Sequence, residues 1–163
     1  MQRRTLLTWS GISLALAAGA WLPHRSTAAA RRSAAENPAE ADPLVAMFVW
    51  WNAAYQQKAG FTAEAFARHF TPDAVMRING EDRSKGVEDL AQHFRDIKAR
   101  TELVVIDLPF IDEFSSASGD RIFTHHFVRA REKGKDSRER VMGYASINDG
   151  KISLINFVSV PDA

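Results

Sequence analysis

The hydrophobic pattern changes from helical to extended near the middle of the chain. Apolar residues recur with helical spacing in three segments: from Asp42-Pro43 to Gly60, from Thr62 to Phe70, and after Gly86. From Leu103 onward the pattern favours four strands, at 103–113, 121–131, 138–147 and 151–160, separated by turn-rich segments of hairpin length. This order predicts an α+β domain with three N-terminal helices packed on a curved antiparallel sheet.

The first thirty residues have the pattern of an export signal. Arg3 and Arg4 precede a mildly apolar stretch from Gly11 to Leu22, and small residues follow at positions 28–30. Arg3-Arg4 followed by Thr-Leu-Leu resembles a twin-arginine signal. We therefore expect a signal peptide at 1–30, a flexible leader at 31–41 and one folded domain at 42–163. Ordinary secretion and a retained anchor stay open as alternatives. The expected partner is the twin-arginine export machinery, and the expected location is the periplasm.

Composition narrows the possible partners. The chain has 21 basic and 20 acidic residues and no cysteine. Loss of residues 1–30 removes three arginines and no acid, which leaves 18 basic against 20 acidic residues and a net charge of −2. This balance argues against a nucleic-acid partner. Without cysteine, an exported domain must depend on its core alone for stability.

One motif in the sequence resembles a known family. The segment "FTPDAVMRINGEDRSKGVEDLAQHF" and the later "INDGK" are similar to the SnoaL-like branch of the nuclear transport factor 2-like superfamily. The residues that carry the resemblance are Phe70, Asp73, Ala74, Gly80, Gly86, His93, Phe94 and Asp149-Gly150-Lys151. The resemblance implies a cone-shaped α+β fold over about residues 44–160, a pocket between helices and sheet, and a homodimer through the outer sheet face. It does not imply one activity, because such a fold carries many functions.

Two adjacent histidines in "RIFTHHFVRAR" are the main candidates for chemistry. Neighbouring residues of a strand face opposite sides of its sheet, so His125 and His126 cannot share a metal or a substrate. No metal-binding spacing and no cofactor motif is recognisable. Matching the strand to the family places His125 inward beside Asp107, as an acid/base pair, and leaves His126 on the outer face with Tyr144 and Asn156. His93 is a third, tentative member of this site.

The same match predicts the side chains around the pocket. The expected lining residues are Trp50, Tyr55, Phe94, Val105, Phe123, Phe127 and Phe157. A core role for His125 and for the first-helix aromatic residues is the alternative. The residues of ketosteroid-type isomerisation are missing: where the resemblance would place its base, its oxyanion acid and its tyrosine, this chain has Ile78, Gly143 and Ala53 or Ala54.

Three functions remain open from the sequence. The first is an exported protein that binds a small apolar or aromatic molecule, with no cofactor and no specific activity assigned. The second is a dehydratase- or cyclase-like lyase or isomerase that uses the His125–Asp107 pair. The third is a dimeric interaction module.

Overall fold

The structure, a computed structural model, describes residues 42–162, so the predicted signal peptide and leader lie outside the described residues. Three helices fall within this range: α1 (Pro43–Gln56), α2 (Ala63–Phe66) and α3 (Val87–Arg100). Seven strands complete it: β1 (Phe70–Ile78), β2 (Glu81–Lys85), β3 (Leu103–Ile106), β4 (Asp112–Ser115), β5 (Arg121–Glu132), β6 (Lys135–Asn148) and β7 (Lys151–Pro161). The predicted α+β class is confirmed.

The seven strands form one mixed sheet rather than the predicted antiparallel one. Its order is β2-β1-β7-β6-β5-β3, with β4 also paired to β5. The strand β1 runs parallel to β7, while the other pairs are antiparallel. The hydrophobic pattern predicts that the second helix extends to residues 70–73, whereas α2 ends at Phe66 and a strand begins at Phe70.

The helix α1 is capped and anchored by polar side chains. The Asp42 carboxylate accepts a hydrogen bond from the backbone N–H of Leu44 at 2.8 Å, which satisfies one free donor of the first turn. Further along α1, the Asn52 amide bonds both the carbonyl and the N–H of Ile106, at 2.9 and 3.0 Å. These two bonds pair the free edge of β3 with the helix and fix α1 across the sheet.

The predicted strand at 103–113 is two short strands. Pro109 has no N–H to contribute to a ladder, and the chain leaves β5 between β3 and β4. The strand β3 pairs with the second half of β5, so that Val105 lies opposite Arg129, whereas β4 pairs with its first half, so that Asp112 lies opposite His125. Asp107 and Asp112 are therefore held at different positions along β5.

The core lies between the helices and one face of the sheet. Aromatic rings dominate it: Trp51, Phe61, Phe66 and Phe94 pack together with ring centroids 5.4–5.9 Å apart. Such edge-to-face and offset contacts add to the hydrophobic stabilisation that burial provides. Within residues 42–162, no helix combines the length and the apolar character needed to cross a membrane.

Candidate functional site

A cavity of about 500 Å³ lies between the helices and the inner face of the sheet and opens to solvent. This volume is typical of small-molecule sites. The helix α1 contributes Met47, Phe48 and Trp51 to its wall, α3 contributes Phe94 and Ile97, and the sheet contributes residues that include Phe157. The wall is mainly apolar, with a few polar side chains at defined places.

His126 is the polar group set most deeply in this wall. It lines the cavity, and only 1% of its surface is exposed to solvent. Its ring packs against Phe48, Phe110 and Phe157, with centroids 5.4, 5.2 and 5.5 Å away. Its Nδ1 lies 3.2 Å from the hydroxyl of buried Thr124.

Burial keeps the His126 imidazole neutral. Its pKa is lowered from 6.5 to about 4, mainly by the loss of hydration and to a smaller extent by neighbouring His125, while Asp107 opposes the shift. At neutral pH the ring therefore carries no charge and can donate one hydrogen bond and accept another. A base with a pKa near 4 is weak at pH 7, which favours a hydrogen-bonding role over proton abstraction.

Charged side chains line other parts of the cavity. Arg83 on β2, His93 and Arg100 on α3, and Glu139 on β6 all contribute to its wall. Burial lowers the pKa of His93, and Arg100 lowers it further, followed by a smaller effect of Arg83; Asp89 and Asp96 raise it. The Glu139 carboxylate accepts a hydrogen bond from the Ser159 hydroxyl.

The structure places His125 and Asp107 outside the cavity, so the predicted faces of β5 and β3 were wrong. His125 lies on the outer sheet face, where its Nδ1 is 3.5 Å from the Asp112 carboxylate. Asp107 instead accepts a hydrogen bond from the Arg129 guanidinium at 2.7 Å. Each residue thus has a partner other than the one predicted, and the inner positions of these strands belong to residues such as His126 and Val104.

Several predicted pocket residues share this outer position. Val105 lies opposite Arg129 in the ladder, and Phe123 stacks on Phe114 with centroids 4.7 Å apart. The guanidinium of Arg138 lies over the Phe127 ring, 3.4 Å from its centroid. An open groove on this face is lined by Asp112, Glu113, Phe114, Phe123, Thr124, His125, Met142 and Gly143.

The remaining predicted residues divide between cavity and core. His93, Phe94 and Phe157 line the cavity. Trp50 is absent from its wall and stacks on His69, with centroids 4.8 Å apart. Tyr55 is also in the core, where its hydroxyl donates to the Thr101 carbonyl at 3.0 Å. Trp50 and Tyr55 therefore lie in the core, which was the alternative to a position in the pocket wall.

The position where the resemblance places an oxyanion acid is filled by a neighbour. A Cβ atom on Gly143 would lie 2.8 Å from Cδ1 of Phe157 and 2.2 Å from the carbonyl oxygen of Asn156. Phe157 therefore occupies the space that a side chain at 143 would need. Ile78, at the place of the base, contributes an apolar side chain to the cavity.

The apolar character of both sheet faces explains why His126 was missed. On β5, Ile122 and Val128 point inward while Phe123 and Phe127 point outward, so alternation does not identify the buried face. The register of the hairpin would have identified the buried face of β5, but this register depends on the break in the predicted strand at Pro109. Among residues 42–162, no group of three or more His, Cys, Asp or Glu side chains is arranged to hold a metal ion.

Comparison with solved structures identifies the fold. An NTF2-like protein of unknown function from Exiguobacterium sp. 255-15 is similar at a TM-score of 0.59, with 20% identity over 74% of this chain and 98% of that chain. A protein of ketosteroid isomerase-like fold from Catenulispora acidiphila, solved in complex with trimethylamine, gives a TM-score of 0.53, with 15% identity over 69% and 82% of the two chains.

A third structure is similar to a comparable degree. Wild-type IdmH, a suggested polyketide cyclase from Streptomyces antibioticus, has a TM-score of 0.55 and 15% identity over 77% of this chain and 92% of that chain. No family model and no curated protein matches the sequence. The described part of the chain therefore has the nuclear transport factor 2-like (NTF2-like) fold, with helices closing over a curved seven-stranded sheet.

Proposed function

We propose that this protein binds a small, largely apolar molecule in the cavity between helices and sheet, with neutral His126 as the hydrogen-bonding group of the deep wall. The observation that carries the proposal is the combination of an apolar cavity of about 500 Å³ with a buried imidazole in its wall, that of His126, which is held through Nδ1 by the Thr124 hydroxyl. An apolar wall with few well-placed polar groups is typical of ligand sites. A SnoaL-like small-molecule binder fits this arrangement.

A cavity-blocking variant tests the proposal. Nile red is a neutral, apolar dye whose fluorescence reports transfer from water to an apolar site. Ile97 is half-buried on α3 and lines the cavity, so Ile97→Trp should fill part of it and weaken dye binding about tenfold. Val49→Trp is the matched control, because Val49 on α1 is 56% exposed and away from the cavity. Equal dye affinity in all three proteins would contradict the proposal.

A second candidate function is a cofactor-independent lyase or isomerase in the same cavity. It is favoured by one observation: His93 and His126 line one cavity, and both have lowered pKa values. His93 would take a proton beside a carbonyl group while His126 donates a hydrogen bond to the developing oxygen charge. The suggested polyketide cyclase among the similar folds fits such chemistry.

Proton exchange distinguishes this candidate from simple binding. Incubating 2-tetralone with the protein in D₂O should replace its α-hydrogens by deuterium faster than buffer does, as followed by NMR. His93→Gln should lose this acceleration and keep Nile red binding. Exchange at the buffer rate would contradict the catalytic candidate and leave the binding proposal unaffected.

We also propose export, on the sequence of residues 1–30 alone. Arg3 and Arg4 would direct the chain to the twin-arginine machinery and the periplasm. Fusion of residues 1–41 to a reporter protein should export it, and changing both arginines to lysine should retain the fusion in the cytoplasm. Export that is unchanged by this substitution would indicate ordinary secretion.

Self-association through the outer sheet face is a further part of the proposal. Phe114, Met142 and Val158 are 62, 52 and 57% exposed on that face, which is unusual for large apolar side chains grouped together. A second copy of the chain would cover them. Light scattering should give a dimer mass that Met142→Glu reduces to the monomer mass, whereas Val49→Glu on α1 should leave it unchanged.

A further inference from the structure

Two arginines on different elements border the cavity. Arg100 ends α3, and Arg83 lies on β2; both line the cavity wall. On α3, His93, Ile97 and Arg100 are spaced by four and three residues, so they lie along one face of the helix. The cavity therefore has an apolar interior and a wall that carries positive charge on two elements.

The two guanidinium groups retain free hydrogen-bonding capacity. No acidic side chain within residues 42–162 forms a salt bridge with Arg100. Arg83 contacts Glu81 through one nitrogen at 2.9 Å. Because a guanidinium has five N–H donors, most of those on Arg83 are free. Arg100 also lies in the last turn of α3, where a cation stabilises the helix whether or not a ligand binds. A binding experiment separates this helix-stabilising role from a role in ligand binding.

The acidic side chains near the two arginines either accept hydrogen bonds from other residues or lie on a different element of the cavity wall. Asp89 accepts from the backbone N–H of Lys85 and Asp96 from the Gln92 amide, and neither lines the cavity. Glu139 does line it, on β6, where it accepts from Ser159. That both arginines lower the pKa of His93 also indicates a positive potential beside this imidazole.

We propose that the ligand is an amphipathic carboxylate whose apolar body fills the cavity and whose carboxylate binds Arg100 and Arg83. Guanidinium groups bind carboxylates through paired, charge-assisted hydrogen bonds, which a neutral ligand cannot form. The inference rests on the proposed binding function and adds the class of ligand to it. Glu139 faces the same cavity and weakens this preference by repulsion.

Octanoate and octan-1-ol test the inference, because they share an apolar chain and differ in charge. Calorimetry on the full chain should show octanoate binding about tenfold more tightly than the alcohol. Arg100→Gln and Arg83→Gln should each reduce this preference, and the double variant should abolish it. Arg121→Gln, on the outer sheet face, is the charge-matched control, and Glu139→Gln should strengthen octanoate binding.

The outcomes separate the inference from the function on which it rests. Equal affinity for both probes, or a preference that survives in the double variant, would overturn the carboxylate assignment and leave the binding function in place. Failure of both probes to bind, together with Nile red binding that Ile97→Trp does not affect, would overturn the binding function and the inference with it.

Discussion

His125 and His126 are consecutive residues that face opposite sides of the sheet. The His126 ring is 1% exposed and lines the cavity, whereas His125 contacts the Asp112 carboxylate on the outer face at 3.5 Å. The alternation of a β-strand makes this separation unavoidable, so the two imidazoles have unrelated surroundings. Their predicted responses to mutation differ accordingly.

Acid should destabilise the protein through His126. Its pKa falls from 6.5 to about 4 on folding, so the unfolded chain takes up a proton first and stability is lost as the pH falls from 6.5 towards 4. This effect contributes about 2 kcal/mol of lost unfolding free energy between pH 7 and pH 5. Urea unfolding at both pH values should show the loss, and His126→Phe should reduce it by that amount.

A neutral core variant provides the control for this measurement. Phe48→Leu, beside His126, should lower the unfolding free energy by about 1 kcal/mol at both pH values and leave the difference between them unchanged. A His126→Phe protein with the same pH dependence as the unmutated protein would contradict the prediction.

Removal of the originally predicted acid/base pair should not affect ligand binding. Asp107 is paired with Arg129, and His125 lies near Asp112, both on the outer face. Asp107→Asn and His125→Ala should therefore keep Nile red affinity within about twofold, since neither side chain lines the cavity. A loss of dye binding in either variant would contradict this prediction and show that side chains on the outer face affect binding in the cavity.

Tyr55 should contribute to stability rather than to binding. Its hydroxyl donates to the Thr101 carbonyl and also lies 2.7 Å from the Thr101 hydroxyl. Tyr55→Phe should cost about 1 kcal/mol in urea unfolding and leave Nile red affinity unchanged. Tyr144→Phe is the matched control with a smaller expected cost, because the Tyr144 hydroxyl accepts only a 3.3 Å bond from Asn156. Equal losses of unfolding free energy in the two variants would contradict a stabilising role for the Tyr55 hydroxyl.

Gly143 should tolerate no side chain. A Cβ there would lie 2.2 Å from the Asn156 carbonyl oxygen and press on Phe157, so we expect Gly143→Ala to cost about 2–3 kcal/mol and to weaken Nile red binding. Gly134→Ala, where a Cβ would meet no atom within 4 Å, should cost about 1 kcal/mol through its positive φ of 71° alone. Thermal unfolding measures the stability of the two variants. A Gly143→Ala variant as stable as Gly134→Ala would contradict the predicted steric clash.

Local signals in the sequence determined most of the elements. Asp42-Pro43 marks the start of α1, and the turn at Asp149-Gly150 separates β6 from β7. Such capping and turn chemistry depends on a few neighbouring residues, and it can be recognised without knowledge of the rest of the chain.

Long-range relationships could not be derived in the same way. Whether Val104 or Val105 faces inward depends on the pairing of β3 with β5, because both residues are apolar. Whether Phe70 ends a helix or begins a strand depends on its pairing with Ile152, some eighty residues later. The sequence therefore identified the face of α3 that lines the cavity, because α3 has one apolar stripe, but not the face of β5, which is apolar on both sides.

The parallel pairing of β1 with β7 affects how the domain must assemble. The last of the seven described strands in chain order, β7, lies inside the sheet, between β1 and β6, rather than at its edge. The β1–β2 hairpin can join the rest of the sheet only when residues 151–161 are available, and closing so long a loop makes native pairing slow. The β1–β2 hairpin therefore stays separate from the rest of the sheet until residues 151–161 pair with both, and a chain cut before Lys151 would lack the strand that joins the two halves.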